Sequence, residues 1–307
     1  MTAFIFPGQG SQAIGMGRSL AASFPVARAV FDEVDEALGE KLSSLIWDGS
    51  IEDLTLTRNA QPALMATSIA AVRVLAAETD LKIADAAFVA GHSLGEYSAL
   101  CAVDSLSLAD TAQLLRVRGD AMQAAVPVGE GAMAAILGLS LADVEAAIEA
   151  GGGGGVCQIA NDNSPGQVVI SGHSARVEAV MAAAKEGGAK RALPLPVSAP
   201  FHCTLMAPAA EQMAKALENA DISPPVVPVI ANVTAAPVTD PDAIRKLLIE
   251  QVTGRVRWTQ SVETMSAAGV SRFVELGAGK VLSGLVKRIN KQAETAHLGT
   301  VEDLSKF

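Results

Sequence analysis

The segment that leaves this chain the least freedom is Ala86-Ala-Phe-Val-Ala90 followed by Gly91-His-Ser-Leu-Gly95. A short apolar β-prone run, a Gly-x-Ser-x-Gly bend and an Ala/Leu-rich stretch to Ala102 predict strand, tight turn and helix in immediate succession. A bend that sharp leaves no room for side chains two positions either side of the serine, so glycine is needed at both. Ser93 then projects from the strand end with its Oγ exposed. The backbone N–H of Leu94 points from the helix N-terminus toward a developing oxyanion. The plainer alternative is a serine capping an ordinary helix, with two glycines present for close packing.

Around this bend, short β-rich runs alternate with longer helical patterns, the rhythm of an α/β sheet. Ala3–Phe6 reads as a strand, Pro7–Gln12 as a turn and the chain from about Met16 as helix. Ala63–Ala77 reads as a buried helix. From Gly131 the order becomes βαββαβ: Ala132–Leu137, helix Leu141–Glu149, Val156–Ala160, Gln167–Ser171, helix Ser174–Glu186, Arg191–Leu195. That order is the ferredoxin-like split unit. The expected architecture is therefore a large α/β-hydrolase-like domain with a mostly parallel sheet, residues 1–128 and 198–307, interrupted by an inserted ferredoxin-like subdomain, residues 129–197. After the insertion, a strand at Val227–Ala231, helices at Pro241–Val252 and Thr259–Ala268, a strand at Arg272–Leu276 and a helix from Val281 to Lys291 complete the reading. The five-glycine run Gly151–Gly155 lacks a Walker Lys-Ser/Thr and reads as a mobile loop rather than a phosphate cradle.

Composition narrows the function classes. Half of the 307 residues are apolar and 18% are charged, which excludes a disordered chain. The formal charge, 23 − 33 = −10, repels polyphosphate and anionic lipid, so neither nucleic acid nor a membrane is an expected partner. No stretch approaches the ~20 uncharged apolar residues of a bilayer span. The N-terminal residues offer no basic leader, so the expectation is a cytoplasmic protein without a secretory signal. Three widely spaced cysteines give neither a disulfide framework nor a metal site.

A serine nucleophile needs a base, and the chain has four histidines. His92 sits on the elbow and is expected to point away from Oγ. His173 lies at a helix start, where it caps or faces solvent, and His297 lies in a polar C-terminal tail without rigid support. His202, in Val197-Ser-Ala-Pro-Phe-His-Cys203, is the remaining candidate, against the alternative of a histidine merely buried in a loop. Gly8-Gln-Gly-Ser-Gln-Ala13 formally fits a dinucleotide fingerprint, but the nearest acidic residues, Asp32–Glu36, fall in a helical stretch rather than at a strand end. Gln12 is better placed as a backbone N–H donor completing an oxyanion hole with Leu94.

Phe6-Pro-Gly-Gln-Gly-Ser-Gln12, Gln61-Pro-Ala63, Gly91-His-Ser-Leu-Gly-Glu96, Arg118-Gly119, Ala199-Pro-Phe-His202 and Glu275-Leu-Gly-Ala-Gly-Lys280 together resemble the malonyl-CoA:acyl carrier protein transacylase family, in order along essentially the whole chain. The resemblance implies a ping-pong transfer: Ser93 takes malonyl from coenzyme A, and the phosphopantetheine thiol of acyl carrier protein removes it. Malonyl-CoA is then a substrate, and no cofactor is expected. Arg118 matches the arginine that pairs with the malonyl carboxylate, a role suited to a guanidinium fork; taken alone, it or Arg116 is equally a solvated helix residue. The resemblance further implies that Gln251 orients His202 through its main-chain carbonyl, and that Phe201 shapes the acyl pocket, favouring malonyl over methylmalonyl. It also places Gln61 and Asn161 among the substrate-binding residues, although Asn161 and Asn163 also suit a turn.

Docking of an acidic carrier protein on an acidic enzyme must be local. Lys280, Lys287, Arg288 and Lys291, or Lys185, Lys190 and Arg191, are candidate patches, or else solvated helix faces. Two other classes stay in view. A serine hydrolase or thioesterase of α/β-hydrolase type shares the elbow, but its histidine usually lies nearer the C-terminus. A silent binding module would carry no reason for Ser93, His202 and Arg118 together. A polyketide acyltransferase is the variant within the resemblance.

Overall fold

The computed structural model describes residues 1–197 and 199–307; the expected domain boundary at Ser198 lies outside the described residues. Among the described residues the strands form two sheets. The larger contains β1 (Thr2–Phe6), β2 (Phe88–Gly91), β7 (Val229–Ile230), β8 (Pro237–Val238), β9 (Arg272–Leu276) and β10 (Glu294–Leu298), in the order β10-β9-β1-β2-β7-β8. All its pairings are parallel except β7 with β8. Near-continuous apolar strands of this kind require cover on both faces, and the alternation in β1 shows it. Phe4 and Phe6 enter the core that contains the helix Thr57–Glu78, whereas Ala3 and Ile5 face a second core with Trp258, Val262 and Leu285.

The smaller sheet contains β3 (Gly131–Leu137), β4 (Cys157–Ser164), β5 (Gln167–His173) and β6 (Arg191–Pro194), ordered β4-β5-β3-β6 and antiparallel throughout. Its two helices, Leu141–Ala150 and Ser174–Glu186, cover one face: Ala134 and Ile136 of β3 pack with Val144, Val177 and Val180. Met133, on the opposite face of β3, joins the core of the large sheet instead. The two-residue period thus ties the smaller sheet to the larger one.

Several sequence expectations need correction. The helix expected from Ala63 begins at Thr57 and carries Pro62 inside it. A proline this near a helix start removes one ladder bond without ending the helix. By length and composition alone that helix would pass for a membrane span, but 78% of its most apolar window is buried in the protein, the surroundings of a core helix. β4 does not stop at Ala160 but runs through Asn161–Ser164 with two register shifts, so these residues are strand and not turn. His297 does not lie in an unsupported tail. It sits on β10, paired with Glu275, with Nε2 2.8 Å from Asp303 Oδ1. His173 occupies the cap position of its helix without capping it, its Nδ1 accepting from Val156 N at 2.8 Å.

Candidate active site

In open parallel sheets the functional crevice lies beyond the carboxyl ends of the strands, and the loops after β1, β2 and β7 meet there. The bend after β2 is as tight as its glycines imply. A Cβ on Gly91 would lie 1.9 Å from the carbonyl carbon of Gly95, and one on Gly95 would lie 2.3 Å from Phe6 O. Ser93 adopts φ 53°, a left-handed conformation costly for any residue but glycine. What holds it there is Asn232, just after β7: Oδ1 accepts from Ser93 N at 2.7 Å and Nδ2 donates to Gly91 O at 2.7 Å.

Ser93 Oγ lies 2.7 Å from His202 Nε2. His202 is also left-handed, with φ 59°, and 4% exposed. Its Nδ1 faces two main-chain carbonyls, Gln251 O at 2.9 Å and Gly254 O at 3.1 Å. Facing acceptors, Nδ1 must carry the proton, which leaves the Nε2 lone pair turned toward the serine hydroxyl. Burial, reinforced by the nearby Arg118 charge, pushes the imidazole down to about 3 against the opposing carbonyl bonds, so it is neutral at any ordinary pH.

Arg118, 1% exposed, comes from the helix Leu108–Ala124. Its Nη1 donates to Gln61 Oε1 at 2.7 Å, and Nη2 donates to Gln251 Oε1 at 2.9 Å and to Ser93 Oγ at 3.1 Å. Nε has no partner among the described residues. No carboxylate is among these partners. A guanidinium buried against neutral oxygens, with one N–H unused, is a cation with unspent capacity for an anion. Burial lowers its pKa without depriving it of charge. Arg116, in contrast, is committed to Glu40 and Asn59.

A cavity of about 520 Å³ opens over the Ser93–His202 pair. Gln12, Gln61, Leu94, Arg118, Asn161 and Phe201 all contribute to its wall, with Met122, Met133 and Leu195 supplying apolar surface. Three expectations are refined. Gln251 does not line the cavity; it is fully buried, its side-chain Nε2 donating to Ser93 O at 3.0 Å. The Gln12 side chain turns back to accept from Gly10 N at 2.7 Å. His92 faces the cavity but turns to Asn163 Oδ1 at 2.8 Å. Asn161 presents a buried Oδ1 without a partner among the described residues. Of the basic patches, Lys287 donates to Ala293 O at 2.6 Å and Arg288 to the Gln167 side chain, both neutral acceptors.

Sequence reasoning missed Asn232 altogether and gave no role to Glu96. A polar residue at the C-terminal end of a central parallel strand was the available signal for Asn232.

A serine hydroxyl paired with a buried histidine thus lies beside a buried guanidinium that no carboxylate contacts directly, at the mouth of a mainly parallel sheet. The chain belongs to the acyl transferase domain family, which it matches over residues 3–303; it is an acyltransferase. It is 51% identical over 306 residues to the malonyl CoA-acyl carrier protein transacylase of Bacillus subtilis, covering 98% of this chain and 94% of the relative. The crystal structure of the acyl-carrier-protein-S-malonyltransferase from Bartonella henselae is 56% identical, with TM-score 0.97 and coverage of 99% and 97%. A malonyl-transacylase solved in complex with its type II PKS acyl-carrier protein is 42% identical, with TM-score 0.96 and coverage of 99% and 98%.

Proposed function

We propose that this protein transfers malonyl from malonyl-CoA to the phosphopantetheine thiol of an acyl carrier protein, by a ping-pong route through a malonyl ester on Ser93. The observation that carries the reading is the 2.7 Å approach of Ser93 Oγ to His202 Nε2 within reach of the buried Arg118. In the first half-reaction Ser93 Oγ attacks the thioester carbonyl as its proton passes to His202 Nε2. The N–H groups of Leu94 and Gln12 hold the oxyanion. The sulfur–carbon bond breaks and the leaving coenzyme A thiolate takes the proton from His202. In the second half-reaction the carrier thiol gives its proton to the same Nε2, attacks the ester, and Ser93 leaves with the proton.

Arg118 holds the malonyl carboxylate, steadied by Gln61 and by the Gln251 amide. Gln251 O keeps His202 in the required tautomer, Phe201 bounds the acyl pocket, and Asn161 Oδ1 offers an acceptor to the incoming substrate. The reaction needs no cofactor, since coenzyme A is itself substrate. Residues 129–197 act as an inserted ferredoxin-like unit forming the second wall of the cleft, against a large α/β-hydrolase-like part made of 1–128 and 198–307; the location is the cytoplasm. The names of relatives support an acyl carrier protein as acceptor; the pathway we propose is fatty acid synthesis, and the complex with a type II PKS acyl-carrier protein favours a polyketide carrier as second reading.

The test is single-turnover mass spectrometry with malonyl-CoA. A malonyl adduct on the Ser93 peptide that a carrier thiol discharges supports transfer, whereas rapid release of free malonate with no adduct identifies a hydrolase.

A further inference from the structure

Glu96 follows the elbow directly, in the first turn of the helix Gly95–Ala102, and is 3% exposed. Its Oε2 accepts from Asn232 N at 3.0 Å and from Gln251 Nε2 at 2.8 Å. Each partner has a second task. Asn232 Oδ1 takes the N–H of Ser93 at 2.7 Å, and Gln251 Oε1 takes Arg118 Nη2 at 2.9 Å. A side-chain amide has one accepting end and one donating end. Gln251 can offer its oxygen to Arg118 only while its NH₂ points the other way, and in this buried region Glu96 Oε2 and Ser93 O are the close acceptors for it. Turned over, the amide would set NH₂ against guanidinium, two donors face to face.

We propose that Glu96 is a positioning residue that fixes the polarity of the Gln251 amide and thereby holds the Arg118 guanidinium where it receives the carboxylate of the acyl substrate. This rests on the transfer reading above, and makes Glu96 matter more for a substrate that carries a carboxylate than for one that does not. Burial pushes the Glu96 carboxyl up to about 7 against the bonds from Asn232 and Gln251 and the Arg118 charge. Its task is therefore that of an acceptor oxygen, which glutamine also supplies.

The experiment compares the full-length parent, Glu96→Ala and Glu96→Gln in kcat/KM for malonyl-CoA and acetyl-CoA with one common carrier thiol. Glu96→Ala is expected to lower the malonyl value by about 10²-fold, the loss typical of a misplaced positioning group, and the acetyl value by about tenfold or less. Glu96→Gln is expected to recover most of that malonyl loss. In an Arg118→Ala background, Glu96→Ala should cost malonyl transfer little more. Equal losses for both acyl groups, an alanine variant with parental malonyl transfer, or a glutamine variant no better than alanine would each overturn the inference. If Glu96→Ala does not fold, Glu96→Met fills the space without accepting such bonds and is read the same way. A parent that forms no malonyl-enzyme sinks the transfer reading itself, and so is told apart from an active parent indifferent to position 96.

Discussion

Two buried carboxylates lie on either side of the central strand β1: Glu96, just beyond β2, and Glu275, on β9. Burial raises the pKa of both, against hydrogen bonds that oppose it. Their partners differ. Glu275 accepts from Leu282 N at 3.1 Å, and from Ser283 N and Ser283 Oγ at 2.7 Å each, so it ties down the start of the helix Val281–Ile289 that follows it. These are orphan donors of a helix terminus, and satisfying them stabilises local structure. Glu96 reaches residues 136 and 155 positions away, and those residues touch Ser93, Arg118 and His202. One carboxylate finishes a helix; the other organises a reaction. The lesson is that burial and a raised pKa do not mark a functional acid, whereas the onward connections of its partners do.

The contrast can be broken in four places. Ser93→Ala should abolish the malonyl-enzyme and lower turnover by at least about 10³-fold with unfolding unchanged. An adduct in intact-mass spectra of that variant would move the chemistry away from the Glu96 side of the sheet. Arg118→Ala should shrink the preference for malonyl over acetyl by about 10²–10³-fold, the worth of one desolvated charge pair; the same ratio in variant and parent would contradict the carboxylate clamp. Glu275→Ala should cost about 2 kcal/mol in urea unfolding while kcat stays near the parental value. Lost activity with stability intact would dissolve the distinction between the two acids.

The smallest effect concerns pH. The Glu96 carboxyl titrates at about 7 in the folded protein against a reference of 4.5. A raised acid contributes stability that is fully present below its unfolded value and is lost as pH rises through its folded value. Glutamine does not ionise, so the Tm of Glu96→Gln relative to the parent should climb between about pH 4.5 and pH 7. A constant or falling difference would mean the carboxylate is less desolvated than its burial implies. His202 has the opposite sign: held near 3, it stays unprotonated in the fold and favours unfolding as pH drops below 6.5. Comparing the variant with its parent cancels that contribution.

Ser93 and its flanking glycines were legible because the elbow is local: strand, bend and helix follow one another within a few residues, and the close approach at Gly91 comes from that bend, whereas the one at Gly95 is to Phe6 O of β1. His202 was legible by the scarcity of histidine. The strand at Arg272–Leu276 was readable to the residue because Phe273, Val274 and Leu276 are β-prone apolar residues, buried on both faces of the sheet. β10 was not, since Glu294-Thr-Ala-His-Leu298 is an edge strand with a half-wet face and little apolar signal. Asn161–Ser164 misled in the opposite way. Residues that favour turns were recruited into β4 by pairing with β5 and by a bridge from Asn161 to Val256.

By itself the sequence determined an alternating α/β chain, the position of a nucleophilic bend and the residue types needed for acyl transfer, since hydrophobic period and turn chemistry act between near neighbours. The tertiary structure alone decided which way the Gln251 amide points, which asparagine holds Ser93, and that Arg118 is buried without a carboxylate partner. Those outcomes depend on groups far apart in the chain losing water together, so that each polar atom takes whatever partner the fold brings within reach, and no local pattern records the choice.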